Sequence, residues 1–204
     1  GGGGGLVAGI LRGLIEEARP WAGDAAMFLA ELNCGMRAVL CHNHGPIFAT
    51  AFYLIADLEK EEIRYANAGH PCPLFRDQLT GEVGALGSLP GEQRPALGLF
   101  DNIAYVTTRR TLRPNDLFIL YTDGLVEVAD QDGTTFGRER LFAGVRQHGH
   151  RPVPELFDFM LGDAKTFSAA GTFDDDVCLL GIQMTPSGAT REKMAWESDQ
   201  EDAA

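Results

Sequence analysis

The chain has 204 residues, enough for one sizeable domain with its own core, and an ordinary composition of 45% hydrophobic and 23% charged residues. Seventeen Lys and Arg face twenty-nine Asp and Glu, and the net charge of −12 argues against nucleic acid or an anionic membrane as partner. No apolar run approaches the roughly 18 residues that a membrane span needs, and no basic region precedes an apolar stretch at the start, as it would in a secretory signal.

The opening GGGGG, residues 1–5, reads as a linker or an artefact, because a glycine run has no intrinsic reason to order. Val7, Ile10, Leu11, Leu14, Ile15 and Ala18 then recur at helical spacing up to Pro20. Asp24 is an N-cap for a second helix that carries Phe28, Leu32, Met36 and Val39 on one face. Trp21 is expected in the core between the two helices. The cysteines (Cys34, Cys41, Cys72, Cys178) form no CxxC pair. On one helix, Cys34 and Cys41 would lie roughly 10 Å apart, too far for a disulfide. Unpaired thiols suit a reducing cytoplasm. Cys41-His42-Asn43-His44 reads as a polar loop rather than a zinc site, since adjacent Cys and His cannot easily reach one ion.

FATAFYLIAD (Phe48–Asp57) is apolar on both faces, the pattern of a buried strand. LEKEE turns the chain, and EIRYANA (Glu62–Ala68) returns it as a hairpin. GHPCPLF bends into a short strand near Leu74–Arg76, and Thr80–Leu99, rich in Gly with two prolines, reads as loops with short strands. Ile103–Arg109 and, more strongly, Leu117–Thr122 are strands. Phe136–Gly149 and Val153–Phe167 look helical, and Val177–Met184 is a last buried strand. Residues 185–204 lose periodicity, carry two basic against five acidic residues, and read as a disordered or docking tail. The order of elements is that of an α+β domain with mostly antiparallel pairing.

Asp123 is set between apolar segments in LFILYTDGLVEV, and a carboxylate there needs a partner. Asp174-Asp175-Asp176 stands at the mouth of the last strand, where three adjacent carboxylates repel one another. A hard divalent cation such as Mg²⁺ or Mn²⁺ relieves both. If the two strands are neighbours, Asp123 and Asp175 face a common point. The plainer reading is that T-D-G is an ordinary turn and the triplet a solvated loop.

YANAGHPCPLF, LGLF, LFILYTDGLVEV with FGRERL, and FDDDVCLL, in this order, resemble the metal-dependent protein phosphatases related to type 2C. The branch is that of the bacterial SpoIIE-like serine phosphatases of sporulation and stress response. The resemblance covers residues 6–184 and implies a four-layer α-β-β-α sandwich of two antiparallel sheets flanked by helices. It also implies removal of phosphate from phosphoserine or phosphothreonine proteins, in this branch an anti-sigma-factor antagonist. Two Mn²⁺ or Mg²⁺ ions and in-line attack of a metal-bridging hydroxide carry that reaction. By position, Asp123 resembles the ligand of one metal, and the family's paired acids fall on Asp175 and Asp176. The resemblance makes Asp175 the better ligand candidate, with Asp176 expected to support it or coordinate through water. Asp174 lies outside the pattern and is expected to face solvent. Gly124 fits the tight turn after the ligand. The branch often follows a sensor or receiver domain, and a homodimer is compatible with it.

The departure is at the front. Family members carry an Asp-x-Ser-Gly-His-Gly-like element, whose Asp bridges the two metals, just before the first helix; GGGGG stands there instead. The N-terminal strands that bring in that Asp are then missing as well, which implies weak metal binding by this chain alone. An omitted segment, a truncation and a degenerate domain all stay open. His70 in NAGH invites a role as general acid, but the resemblance makes it part of a hairpin-to-loop element. Asn67 should organise that turn through hydrogen bonds to the backbone, and Arg138 and Arg140 read as solvated. The rivals to a phosphatase are a catalytically degenerate module that binds a regulatory partner without hydrolysis, and a scaffold whose aspartates only cap strands.

Overall fold

The computed structural model describes residues 3–40, 48–87 and 94–184. Helix α1 (Gly3–Glu17) ends at a short 3-10 turn, Arg19–Trp21, where Pro20 stops it, and α2 (Ala25–Leu40) follows. Three of the five glycines expected to be linker thus form the first turn of α1. Each glycine disfavours helix by about 1 kcal/mol, but adding a turn to a helix already nucleated downstream is far easier than starting one. Asp24 caps α2 as its position predicts: Oδ1 accepts hydrogen bonds from the amides of Ala26 at 3.0 Å and Met27 at 3.2 Å.

Strand β1 (Ala51–Asp57) forms a hairpin with β2 (Glu62–Ala68), pairing Ala51 with Ala68 through Asp57 with Glu62. The short strands β3 (Leu74–Arg76), β4 (Val83–Ala85) and β5 (Thr108–Thr111) come next, then β6 (Leu117–Tyr121). Helices α3 (Gly137–His148) and α4 (Val153–Phe167) precede the last strand, β7 (Leu179–Gln183). One sheet has the order β1-β2-β5 and the other β4-β3-β6-β7, all antiparallel.

Three apolar clusters separate four layers. In the first, Leu14, Phe28, Leu29, Leu32 and Met36 of α1 and α2 cover Ala66 and Ala68 of β2, with Phe28 stacked on Tyr53 at 4.0 Å. In the second, Ile63 and Tyr65 of β2 meet Phe75 of β3 and Phe118 of β6 between the sheets. In the third, Leu117, Ile119 and Tyr121 of β6 lie under Leu141, Val145, Leu156 and Met160 of α3 and α4. Alternation along β2 and β6 sends successive side chains into different clusters, which is how a strand buries both faces. This is the four-layer α-β-β-α sandwich that the resemblance implied.

Several expectations are corrected. β1 and β7 are not buried strands: each has one partner strand among the described residues, and their side chains are largely half-exposed, Leu180 at 53%. An apolar run alone does not tell a central strand from an edge one. The strand expected from Ile103 joins the ladder only at Thr108, because the preceding residues leave the sheet. Ile103 and Tyr105 join the cluster under α2, and the Thr107 hydroxyl accepts the Ala26 amide at 2.9 Å while donating to Asp24 at 3.0 Å. Trp21 is 44% exposed and Val39 49%, so neither is core. The short 3-10 turn carries the indole outward, and Val39 lies beyond the stretch of α2 that covers β2. Cys41-His42-Asn43-His44 and the tail 185–204 lie outside the described residues.

Candidate metal centre

The antiparallel ladder of β6 and β7 runs from Leu117–Gln183 to Tyr121–Leu179. The end of one strand and the start of the other therefore adjoin. Beyond Tyr121 the chain tightens into a 3-10 turn, Asp123–Leu125. Asp123 is exposed on it, with Oδ1 accepting from the Gly124 amide at 3.1 Å. Opposite lie Asp174, Asp175 and Asp176, all exposed, with Asp175 Oδ1 accepting from the Asp176 amide at 2.8 Å.

Gly124 is where the two acidic segments touch. It is buried, and a Cβ added to it would stand 2.8 Å from the Asp176 carbonyl oxygen and 3.3 Å from that of Asp175. The reason for glycine differs from the expected one. Its φ is not in the left-handed region, so close approach of backbone, rather than turn conformation, is what excludes a side chain.

Asp123, Asp175 and Asp176 have no Lys or Arg within ion-pair distance among the described residues, although nine such pairs occur elsewhere. Asp174 has none either and is as exposed as its two neighbours, so exposure and ion pairing do not set it apart from them. The donor set is all carboxylate oxygen, which fits Mg²⁺ or Mn²⁺ rather than a soft metal. Mg²⁺ commonly takes one or two carboxylates and keeps several waters, so two acidic segments fit such an ion in kind. Among the described residues, no three His, Cys, Asp or Glu side chains are grouped to hold an ion by themselves.

His70 is a neighbour of this centre that linear reading could not place. It follows Gly69, whose φ of 73° and close approach to the Ala96 backbone fix the loop. Asn67 clamps His70 as expected of a turn-former: its Oδ1 accepts the His70 amide at 2.8 Å and its Nδ2 donates to the His70 carbonyl at 2.9 Å. Burial pushes the imidazole pKa down, and the charge of Asp123 opposes that shift. The end of β2 thus comes within electrostatic reach of the end of β6. Only the NAGH signature signals it in the sequence. Arg138 and Arg140 are exposed, as expected, yet Arg140 also donates to the carbonyls of Thr135 and Phe136 at 3.2 and 3.1 Å and covers the Phe167 ring.

Residues 1–185 match the family described as Stage II sporulation protein E (SpoIIE). The phosphoserine phosphatase RsbP of Bacillus subtilis (strain 168) is 26% identical over 137 residues, 67% of this chain and 31% of RsbP. The chain thus spans about a third of that relative's length. The SiaA-PP2C domain of Pseudomonas aeruginosa superposes with a TM-score of 0.75 at 25% identity, covering 90% of this chain and 71% of that one. The phosphatase domain of the cell fate determinant SpoIIE from Bacillus subtilis, presoaked with Mn, shares the fold with a TM-score of 0.59 at 13% identity, covering 86% and 73%. The chain belongs to the SpoIIE family, within the superfamily of metal-dependent, type 2C-like protein phosphatases.

Proposed function

We propose that the chain is the phosphatase domain of a metal-dependent protein-serine/threonine phosphatase acting on a regulatory phosphoprotein such as an anti-sigma-factor antagonist. The reading is supported chiefly by the seating of Gly124 against the Asp175 and Asp176 carbonyls, which joins two acidic segments that have no basic partner among the described residues. In the proposed site, Asp123 and Asp175 hold Mn²⁺ or Mg²⁺, Asp176 acts from beside them or through water, and Gly124 leaves room for both segments. The bound ions supply Lewis acidity that activates water and offsets charge on the phosphoryl group. Asp123, Asp175 and Asp176 are exposed, so a phosphorylated side chain on another protein would reach an ion they held. No protein nucleophile is required.

The domain 6–184 would act in the bacterial cytoplasm, in a stress-response or similar signalling pathway, downstream of a sensor or receiver domain and compatible with a homodimer. Among the described residues, no helix is long and apolar enough to cross a membrane. Calorimetric titration with Mn²⁺ tests the ligand set. Binding by this chain is expected to be weak. Asp123→Asn should weaken it a further 10-fold or so, since each ligand carboxylate lost removes a charge and an oxygen donor, while Asp174→Asn should leave it unchanged. Equal binding by Asp123→Asn and wild type would remove Asp123 from the site and favour the module that binds a partner without hydrolysis.

A further inference from the structure

We infer that Thr122 is a positioning residue: its hydroxyl takes over one bond of the strand ladder at the end of β6 and holds the Asp175–Asp176 segment in place beside Asp123. The inference rests on the ligand set proposed above. In a regular antiparallel ladder, a hydrogen-bonded pair exchanges two backbone bonds. At Thr122 and Cys178 only one is made: the Thr122 amide donates to the Cys178 carbonyl at 3.1 Å. The Cys178 amide donates instead to Thr122 Oγ1, at 2.9 Å. The same hydroxyl donates to the Asp176 carbonyl at 3.0 Å. Thr122 keeps an extended backbone, with φ −85° and ψ 157°, so the change of partner comes from the side chain.

The consequence is local. With its amide on the hydroxyl, Cys178 keeps only one of its two ladder bonds, and the regular strand begins only at Leu179. The hydroxyl then catches the Asp176 carbonyl, the atom that sits over Gly124. Phe173 and Val177 pack against the cluster beneath α3 and α4, anchoring the segment on the core side. Thr122 supplies the polar contact on the other side, one residue from Asp123. A hydroxyl serves here because it donates and accepts at once. Valine has the same shape and can do neither, whereas serine keeps both bonds.

The test follows binding of Mn²⁺ alone to the full chain, by the paramagnetic resonance of the free ion, in wild type, Thr122→Val, Thr122→Ser and Asp123→Asn. Exchange of the Cys178 amide is recorded in parallel. Thr122→Val should weaken Mn²⁺ binding about 10-fold, the usual cost of losing a group that orients ligands, and should speed exchange at Cys178 but not at Phe118 within β6. Thr122→Ser should bind as wild type does. Wild-type binding by Thr122→Val overturns the inference, and so does equal weakening by Val and Ser. If Asp123→Asn also binds as wild type, the proposed ligand set fails and this inference fails with it; a change confined to Asp123→Asn removes only the role of Thr122.

Discussion

Gly124 shows what a single atom does at this centre. The Cβ of an alanine would stand 2.8 Å from the Asp176 carbonyl oxygen, and that neighbour is backbone rather than the movable end of a side chain. Gly124→Ala should therefore cost about 1–3 kcal/mol, the usual penalty of overpacking, read as a lower urea midpoint with an unchanged slope. Stability equal to wild type would mean that the acidic segment yields freely. The residue types of the centre were legible in the sequence: T-D-G at a strand end and three aspartates before another strand. Their contact was not, because it depends on β6 and β7 being neighbours, and periodicity does not encode pairing. The same limit explains His70, whose link to Asp123 joins two different sheets.

Helix α2 draws on a cap that reaches across the chain. Asp24 accepts the Ala26 and Met27 amides, and Thr107, eighty-three residues later, donates to the same oxygen. Asp24→Ala should cost about 1 kcal/mol at neutral pH, as N-cap losses do. The Met27 amide is the largest cause holding this carboxyl below its ordinary value of 3.8, with burial opposing and Thr107 assisting. A lowered carboxyl stabilises the fold above its unfolded pKa and stops doing so as pH falls through the folded one. The difference between Asp24→Ala and wild type should thus be constant from pH 7 down to about pH 5 and shrink below 3.8. A difference that persists undiminished into strong acid would show that the charge does not contribute. The cap was legible because it is a local signal. The edge positions of β1 and β7 were not, since FATAFYLIAD and VCLLGIQM are as apolar as central strands, and only the pairing of their neighbours decides exposure.

The molecule as a whole depends on the thin layer between its sheets, where Ile63, Tyr65, Phe75, Leu86, Leu112 and Phe118 are the buried members. Phe118 is 1% exposed and packs on Phe75 at 5.0 Å, so Phe118→Ala should cost about 3–5 kcal/mol in chemical denaturation. Leu180, on β7, the outermost strand of its sheet among the described residues, is 53% exposed and should cost under about 1 kcal/mol when cut to Ala. Similar losses at both positions would contradict the layered core. Composition and periodicity led only as far as an α+β domain. The four layers came from the resemblance carried by particular motifs, and the three clusters now give them a physical basis.

In the proposed function, Asp123 serves metal-dependent removal of phosphate from phosphoserine. The most direct measurement is release of inorganic phosphate from a phosphoserine peptide by the polypeptide that carries this domain, in Mn²⁺ and in chelator, for wild type and Asp123→Asn. Wild type should release phosphate in Mn²⁺ and none in chelator, and Asp123→Asn should lose about 100-fold or more, as expected when a group stabilising the transition state is removed. Release that survives chelation, or that Asp123→Asn leaves intact, would contradict that function.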